Sequence, residues 1–250
     1  YLHCNFGTPH PAYRAEEPYY SMYDRDAIEA WPHELPDDAP LPLQKMREIR
    51  SGEEPREEWL REVQAVYYGM CTRVDSHIGK VLDCIEQEGL FENTIVMFWV
   101  DHGDFAGQYG LPEKWDTYMG DCILHVPQII WAPGLPQGHT VESLTEHVDI
   151  CPTVLDLMGI EPDWGIHGES LLPIISGERR KEAVFADGGH EEEMWDRMDH
   201  PRWKDVPIED MNGKQATYKL SGESMARTKM VRTERWKYVQ RTVGGNELYD

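Results

Sequence analysis

Apolar positions along this chain change rhythm several times, and each rhythm predicts an element. From 58 to 88, Trp59, Val63, Val66, Met70, Val74, Ile78, Val81 and Ile85 recur at steps of three and four. That spacing draws one stripe along a long amphipathic helix, and Gly89 stands where the helix should stop. The next run, Thr94-Ile95-Val96-Met97-Phe98-Trp99-Val100, does not alternate and is rich in β-branched and aromatic residues. It predicts a strand buried on both faces, as in a parallel sheet covered by helices. Gln128-Ile129-Ile130-Trp131-Ala132, stopped by Pro133-Gly134, predicts a second such strand. Pro152 to Met158 reads as a helix, with Pro152 in its first turn and Gly159 at its end. Strand, helix, strand and helix in this order argue for an α/β domain.

The ends of the chain read differently. Residues 1–6 predict a short strand that runs into the turn-rich Gly7-Thr8-Pro9-His10-Pro11. From 12 to 57, proline, tyrosine and charge are dense and no period emerges, which predicts long loops with short helical pieces. Beyond about 180 the texture becomes polar, with an acidic run at Glu191-Glu192-Glu193 that reads as a solvated face. Lys229–Thr233 and Trp236–Arg241, on either side of Glu234-Arg235, predict an antiparallel hairpin. We therefore divide the chain into an α/β part, 1–180, and a small carboxyl-terminal α+β subdomain, 181–250.

Composition narrows the partners. With 250 residues, 40% of them hydrophobic and 28% charged, the chain can bury a sizeable core. Twenty-four Lys and Arg against 46 Asp and Glu give a net charge of -22, which disfavours nucleic acid and anionic membrane. An anionic substrate would be repelled at long range, so its site must concentrate positive charge locally. The five cysteines form no CxxC pair and suggest no disulfide framework, which favours a reducing compartment such as the cytoplasm. The opening residues look like the interior of a strand, so an upstream targeting signal stays open.

Few residues stand out as chemistry. Asp101-His102-Gly103-Asp104 follows directly on the strand at 94–100, and ligand sites in open α/β sheets sit beyond strand carboxyl ends. Asp101 offers a hard oxygen and His102 a nitrogen, so the pair could share a divalent cation. The dipeptide alone would equally suit a helix-capping turn. Lys114 lies in the glycine-bearing loop Gly107-Gln108-Tyr109-Gly110-Leu111-Pro112-Glu113-Lys114 and could hold an oxyanion, or simply face water. His10, between Pro9 and Pro11, sits on a restrained backbone and could donate a proton to a departing oxygen, or have no task. His3 and His77 read as structural. GxGxxG, P-loop and GxSxG motifs are all absent.

Taken together, these segments resemble the sulfatase family of the alkaline phosphatase superfamily. LHCNFGTPHPAY is similar to the family's strand ending at a proline-flanked histidine. YYGMCTRVDSHIGKVLDCIEQEGLFENTIVMFWVDHGD is similar to its long helix and the strand leading to metal ligands. GLPEK, HVPQIIWAPG, VDICPTVLDLMGI, HGESLLPIISG, MVRTERWKYV and NELYD follow in the family's order, and only 190–228 is weakly matched. The resemblance implies an alkaline phosphatase-like α/β/α sandwich, present in part, with the small carboxyl-terminal subdomain added. It also implies hydrolysis of a small-molecule or saccharide sulfate ester. Asp101 and His102 would bind one divalent metal, usually calcium in the family, with magnesium, manganese and zinc open to a His-containing site. Lys114 and His10 would contact the sulfate, and His10 would assist departure of the alcohol.

Two departures from the family pattern stand inside the chain: Tyr109 where a His often precedes Gly-Leu, and His125 where an Arg often precedes Val-Pro. A third is an absence. The family's two further acidic ligands, and the Cys- or Ser-x-Pro-x-Arg motif that becomes formylglycine, belong upstream of these residues. None of the five cysteines lies in such a motif. The expectation is that these 250 residues do not turn over substrate by themselves. A phosphonate monoester or phosphodiester hydrolase of the same superfamily is the alternative activity, and a non-catalytic metal-binding relic is the alternative class. Oligomeric state is not legible.

Overall fold

The computed structural model describes residues 1–50, 56–191, 205–211 and 213–250. Helix α1 spans Leu41–Arg50 and buries Pro42, Leu43 and Met46 on one side. Pro42 lies in its first turn, where the missing N–H costs nothing because that group would lack an intrahelical partner anyway. Helix α2, Glu57–Gln87, is the predicted long helix. Its stripe starts at Leu60 rather than Trp59, which is exposed. The helix ends at Gly89, whose φ of 65° is the left-handed conformation that costs glycine nothing.

Strand β1, Val96–Trp99, follows, and β2, Gln128–Trp131, pairs with it with Val96 opposite Trp131 and Trp99 opposite Gln128. The pairing is antiparallel, which corrects the expectation of a parallel sheet. The connection from 100 to 127 folds mainly into loops and the single turn α3, Asp121–Leu124, instead of crossing the sheet as a long helix. An uninterrupted apolar run reports burial and carries no strand direction. Burial itself is also less than expected: every β1 residue is half-buried and Ile129 on β2 is exposed. A second correction concerns residues 1–6. They belong to no strand and are exposed: no described strand pairs with them, and their backbone groups stay open to water.

Helix α4, Ile150–Leu157, matches the helix predicted at 152–158, and α5, Leu172–Ile175, is a single turn. A buried ionic knot sits at the start of α4. Asp149 is fully buried and receives Lys181 Nζ at 2.8 and 2.6 Å, while Glu146 meets the same ammonium at 2.6 Å. The knot ties the start of α4 to the chain entering the carboxyl-terminal sheet.

That sheet runs β3 (Val184–Gly188), β4 (Thr228–Arg232), β5 (Lys237–Arg241) and β6 (Glu247–Tyr249), all antiparallel. β4 and β5 are the predicted hairpin, with Met230 opposite Val239. Helix α6, Gly213–Leu220, packs on α1. Side chains alternate, so Val184, Met230 and Val239 point inward. Phe185, Val231, Tyr238 and Leu248 stand in register as one row across the outer face. Of the acidic run Glu191-Glu192-Glu193, only Glu191 falls within the described residues.

The main core joins α1 (Leu43, Met46), the 105–123 segment (Phe105, Leu111, Trp115, Tyr118, Ile123) and Met225. Trp115 Nε1 donates to the Ser224 carbonyl at 2.9 Å and Thr117 Oγ1 donates to it at 2.6 Å. Arg241 donates to the Thr117 carbonyl at 2.8 Å. The segment carrying Lys114 is therefore pinned from behind by the carboxyl-terminal residues. Among the described residues, no helix is long and apolar enough to cross a membrane.

Candidate active site

The fold brings His10 and Lys114, 104 residues apart in sequence, into direct contact: Lys114 Nζ lies 2.6 Å from His10 Nε2. The tautomer follows from the other ring nitrogen. His10 Nδ1 is 2.5 Å from the Pro11 carbonyl oxygen, which can only accept, so Nδ1 carries the hydrogen. Nε2 then presents its lone pair and accepts from the ammonium. An anion arriving at this exposed point meets an ammonium and an imidazole together. This supplies the local positive charge that an acidic chain needs to hold an anion.

Asp101 and His102 lie just past β1. Asp101 Oδ1 accepts the His102 backbone N–H at 3.0 Å. His102 Nδ1 is 2.8 Å from the Gly103 carbonyl, so by the same logic it carries the hydrogen and Nε2 keeps a free lone pair. That Nε2 and Asp101 Oδ2 are 3.5 Å apart and open toward solvent. A carboxylate oxygen and an imidazole nitrogen on one turn fit a divalent cation in chemistry and in tautomer. They are two donors only. Among the described residues, no group of three or more His, Cys, Asp or Glu could enclose an ion. Gly103 is required here, because a Cβ on it would collide with the Cys122 carbonyl, against which the turn is folded.

Sequence reasoning missed the residue that joins the two halves. The Tyr13 hydroxyl donates to Asp104 Oδ1 at 2.6 Å and accepts the Glu113 backbone N–H at 2.8 Å. Asp104 also accepts the Ala106 N–H at 2.7 Å. Burial holds the Asp104 carboxyl above its usual range, against the pull of the Tyr13 and Ala106 hydrogen bonds and of the Lys114 charge. Burial, then the Asp104 charge, pushes the Tyr13 phenol up in turn. Asp104 closes the Asp-His-Gly-Asp motif, and its two-residue offset from His102 is the available signal. Tyr13 sits in an aperiodic loop and gave none.

The loop from 105 to 113 is unusual in backbone. Ala106, Tyr109 and Glu113 all have positive φ, at 46°, 56° and 66°. Side-chain-bearing residues avoid this region unless their surroundings hold them there. Here Phe105 N–H bonds to the Glu113 carbonyl at 2.7 Å, and Tyr109 N–H bonds to the Pro32 carbonyl at 2.8 Å. Arg47 donates to the Tyr109 carbonyl at 3.1 Å. Tyr109, which replaces the family's histidine, packs against Phe105 and Tyr118 instead of offering a polar ring. His125 is exposed.

All five cysteines are free thiols. Burial pushes Cys71 up, and Cys122 to about 12, so neither provides a thiolate at neutral pH. His3 lies 6.0 Å from the Trp99 ring and His77 lies 6.3 Å from Phe6, positions that suit packing.

The fold is that of the alkaline phosphatase-like proteins, and comparison with known proteins gives the family. The sulfatase family model matches residues 1–160. Arylsulfatase K of Danio rerio is 33% identical over 190 residues, which cover 76% of this chain and 31% of that protein. Phosphonate monoester hydrolase SpPMH from Silicibacter pomeroyi superposes with a TM-score of 0.72 at 25% identity, over 97% of this chain and 48% of that one. A protein solved in complex with its substrate D-glucosamine-2-N,6-O-disulfate superposes with a TM-score of 0.59 at 24% identity, over 83% of this chain and 38% of that one. The chain belongs to the sulfatase family. It spans 31% of the length of that arylsulfatase K.

Proposed function

We propose that these residues form one side of the active site of a sulfatase, which hydrolyses a sulfate ester of a saccharide or other small alcohol. The observation that carries this reading is the 2.6 Å contact between Lys114 Nζ and His10 Nε2 beside the Asp101-His102 turn. Lys114 donates N–H to the sulfate oxygens and stabilises the charge that grows on them. His10, steered by its Nδ1–H to the Pro11 carbonyl, turns Nε2 toward the bridging oxygen and, when protonated there, donates as the S–O bond breaks. Asp101 and His102 would contribute an oxygen and a nitrogen to a divalent cation, calcium by family expectation. Bound there, the ion supplies Lewis-acid stabilisation of the transferred group. The family's formylglycine is the expected nucleophile. No Cys- or Ser-x-Pro-x-Arg motif occurs in these 250 residues, so the activity is proposed for a protein in which they meet that motif.

The test is hydrolysis of p-nitrophenyl sulfate by the full-length protein. Lys114→Ala and His10→Ala should each lower turnover by about 100-fold or more with the fold intact. Asp101→Ala should lose metal and activity together. Full activity in both the Lys114 and His10 variants would place the site elsewhere. The match to the phosphonate monoester hydrolase favours a second reading, in which an aryl phosphonate monoester is cleaved faster than the aryl sulfate.

A further inference from the structure

We propose that Tyr13 is a positioning residue for the sulfate-binding pair: its single hydroxyl holds the Lys114 loop closed against the Asp101-His102 turn. The inference rests on the sulfatase reading of this site. Tyr13 stands three residues after His10, so the segment that delivers the imidazole also delivers the phenol. The hydroxyl makes two bonds with opposite roles. It donates to Asp104, two residues past His102, and accepts from Glu113, the residue before Lys114. Glu113 is one of the residues at positive φ, so its backbone needs an external hold to keep its conformation. The hold comes from both sides of the residue: Tyr13 takes its N–H, and Phe105 N–H takes its carbonyl. Asp104 secures Ala106, also at positive φ, through the carboxylate oxygen that receives Tyr13. One oxygen atom thus links the histidine segment, the metal-side turn and the lysine loop. The Tyr13 ring is braced edge-on against Tyr67 of α2, at 6.1 Å between centroids, so the hydroxyl does not wander.

Removing the oxygen alone should leave Glu113 N–H without a partner and let the loop relax, moving Lys114 away from His10. Displacements of about 1 Å cost a catalytic site up to about 100-fold. The experiment is Tyr13→Phe in the full-length protein with p-nitrophenyl sulfate, alone and combined with Lys114→Ala. Turnover should fall about 10- to 100-fold in the wild-type background and no more than about twofold further in the Lys114→Ala background, because the two changes remove one function. Amide hydrogen exchange in the peptide spanning 104–114 should quicken, with the first half of α2 unchanged. An equal fall in both backgrounds would make Tyr13 a general structural residue and overturn the proposal. So would unchanged exchange at 104–114. Wild-type turnover by Tyr13→Phe beside an inactive Lys114→Ala would sink the positioning role and leave the sulfatase reading standing. Full activity in Lys114→Ala would overturn the reading of the site itself. If Tyr13→Phe does not accumulate, Asp104→Asn weakens the same bond from charge-assisted to neutral. It should slow turnover by about threefold or more, and a wild-type rate would count against the proposal.

Discussion

The two halves of α2 carry the same apolar stripe and meet different fates. Up to Met70 the stripe is buried: Leu60 and Ala65 are fully covered, and Val63, Val66 and Met70 nearly so. Beyond it, Val74, Ile78, Val81 and Ile85 continue the same spacing and are only half-buried. The difference lies in what is laid on top. Gly107 of the lysine loop sits against Leu60 and Val63. Tyr13 and Tyr23 lean on Tyr67 and Tyr68. Gly69 lets the Tyr19 backbone pass so closely that a Cβ there would strike its carbonyl. Over the second half, the ring neighbour is Phe6 at His77. Helical period therefore tells which side of a helix is apolar, and the packing of distant segments tells how much of that side leaves water. The covered half is also the half that backs the candidate site.

Substitutions can break or sharpen this contrast. The largest effect is expected at Trp115, which is 1% exposed, donates to Ser224 and carries the Arg50 guanidinium 5.0 Å over its ring. Trp115→Ala should cost about 3–5 kcal/mol in urea unfolding, because it opens a cavity behind the lysine loop. Met70→Ala, on the covered half of α2, should cost about 2–5 kcal/mol. Ile78→Ala, two turns further along the same stripe, should cost about 1 kcal/mol, since only part of its side chain leaves water on folding. Equal losses at Met70 and Ile78 would abolish the contrast.

The smallest effect is electrostatic. Burial raises the Asp121 carboxyl, but hydrogen bonds from Arg232 and Lys237 outweigh it and hold it below its usual range. A depressed carboxylate stabilises the fold above its unfolded value, and this contribution is lost as pH falls through the folded value. The window therefore lies below the ordinary carboxylate value of 3.8. Asp121 is half-exposed, so solvent screening limits the contribution to under about 1 kcal/mol. Asp121→Asn should flatten the acid limb of an unfolding-versus-pH curve by that amount, and an unchanged limb would remove Asp121 from the account.

Much of the element list was legible because local patterns encode it. The stripe of α2, the Gly89 stop, the helix before Gly159 and the hairpin around Glu234-Arg235 are each decided within a few turns of chain. Strand direction was not legible. The runs at 94–100 and 128–132 say apolar and extended, and their antiparallel pairing depends on how the 27 residues between them fold. Residues 1–6 look like a strand by composition, yet a strand exists only where an edge accepts its hydrogen bonds. In the candidate site, His10, Lys114, Asp101 and His102 could be singled out in sequence, with their expected roles coming from the family resemblance. Tyr13 could not, because its role lies in joining Asp104 and Glu113, two residues about a hundred positions away.

By itself, then, the sequence determined the long helix, the helix before Gly159 and the carboxyl-terminal hairpin, the apolar side of α2, and which side chains have the chemistry to bind an anion or a cation. Those properties depend on spacing and functional groups, which the chain carries locally. Only the tertiary structure decided that His10 touches Lys114, and that one hydroxyl joins the loops carrying them. Such facts depend on contacts between residues far apart in sequence, and these form only when the burial of α1, α2 and the 105–123 segment brings the loops together.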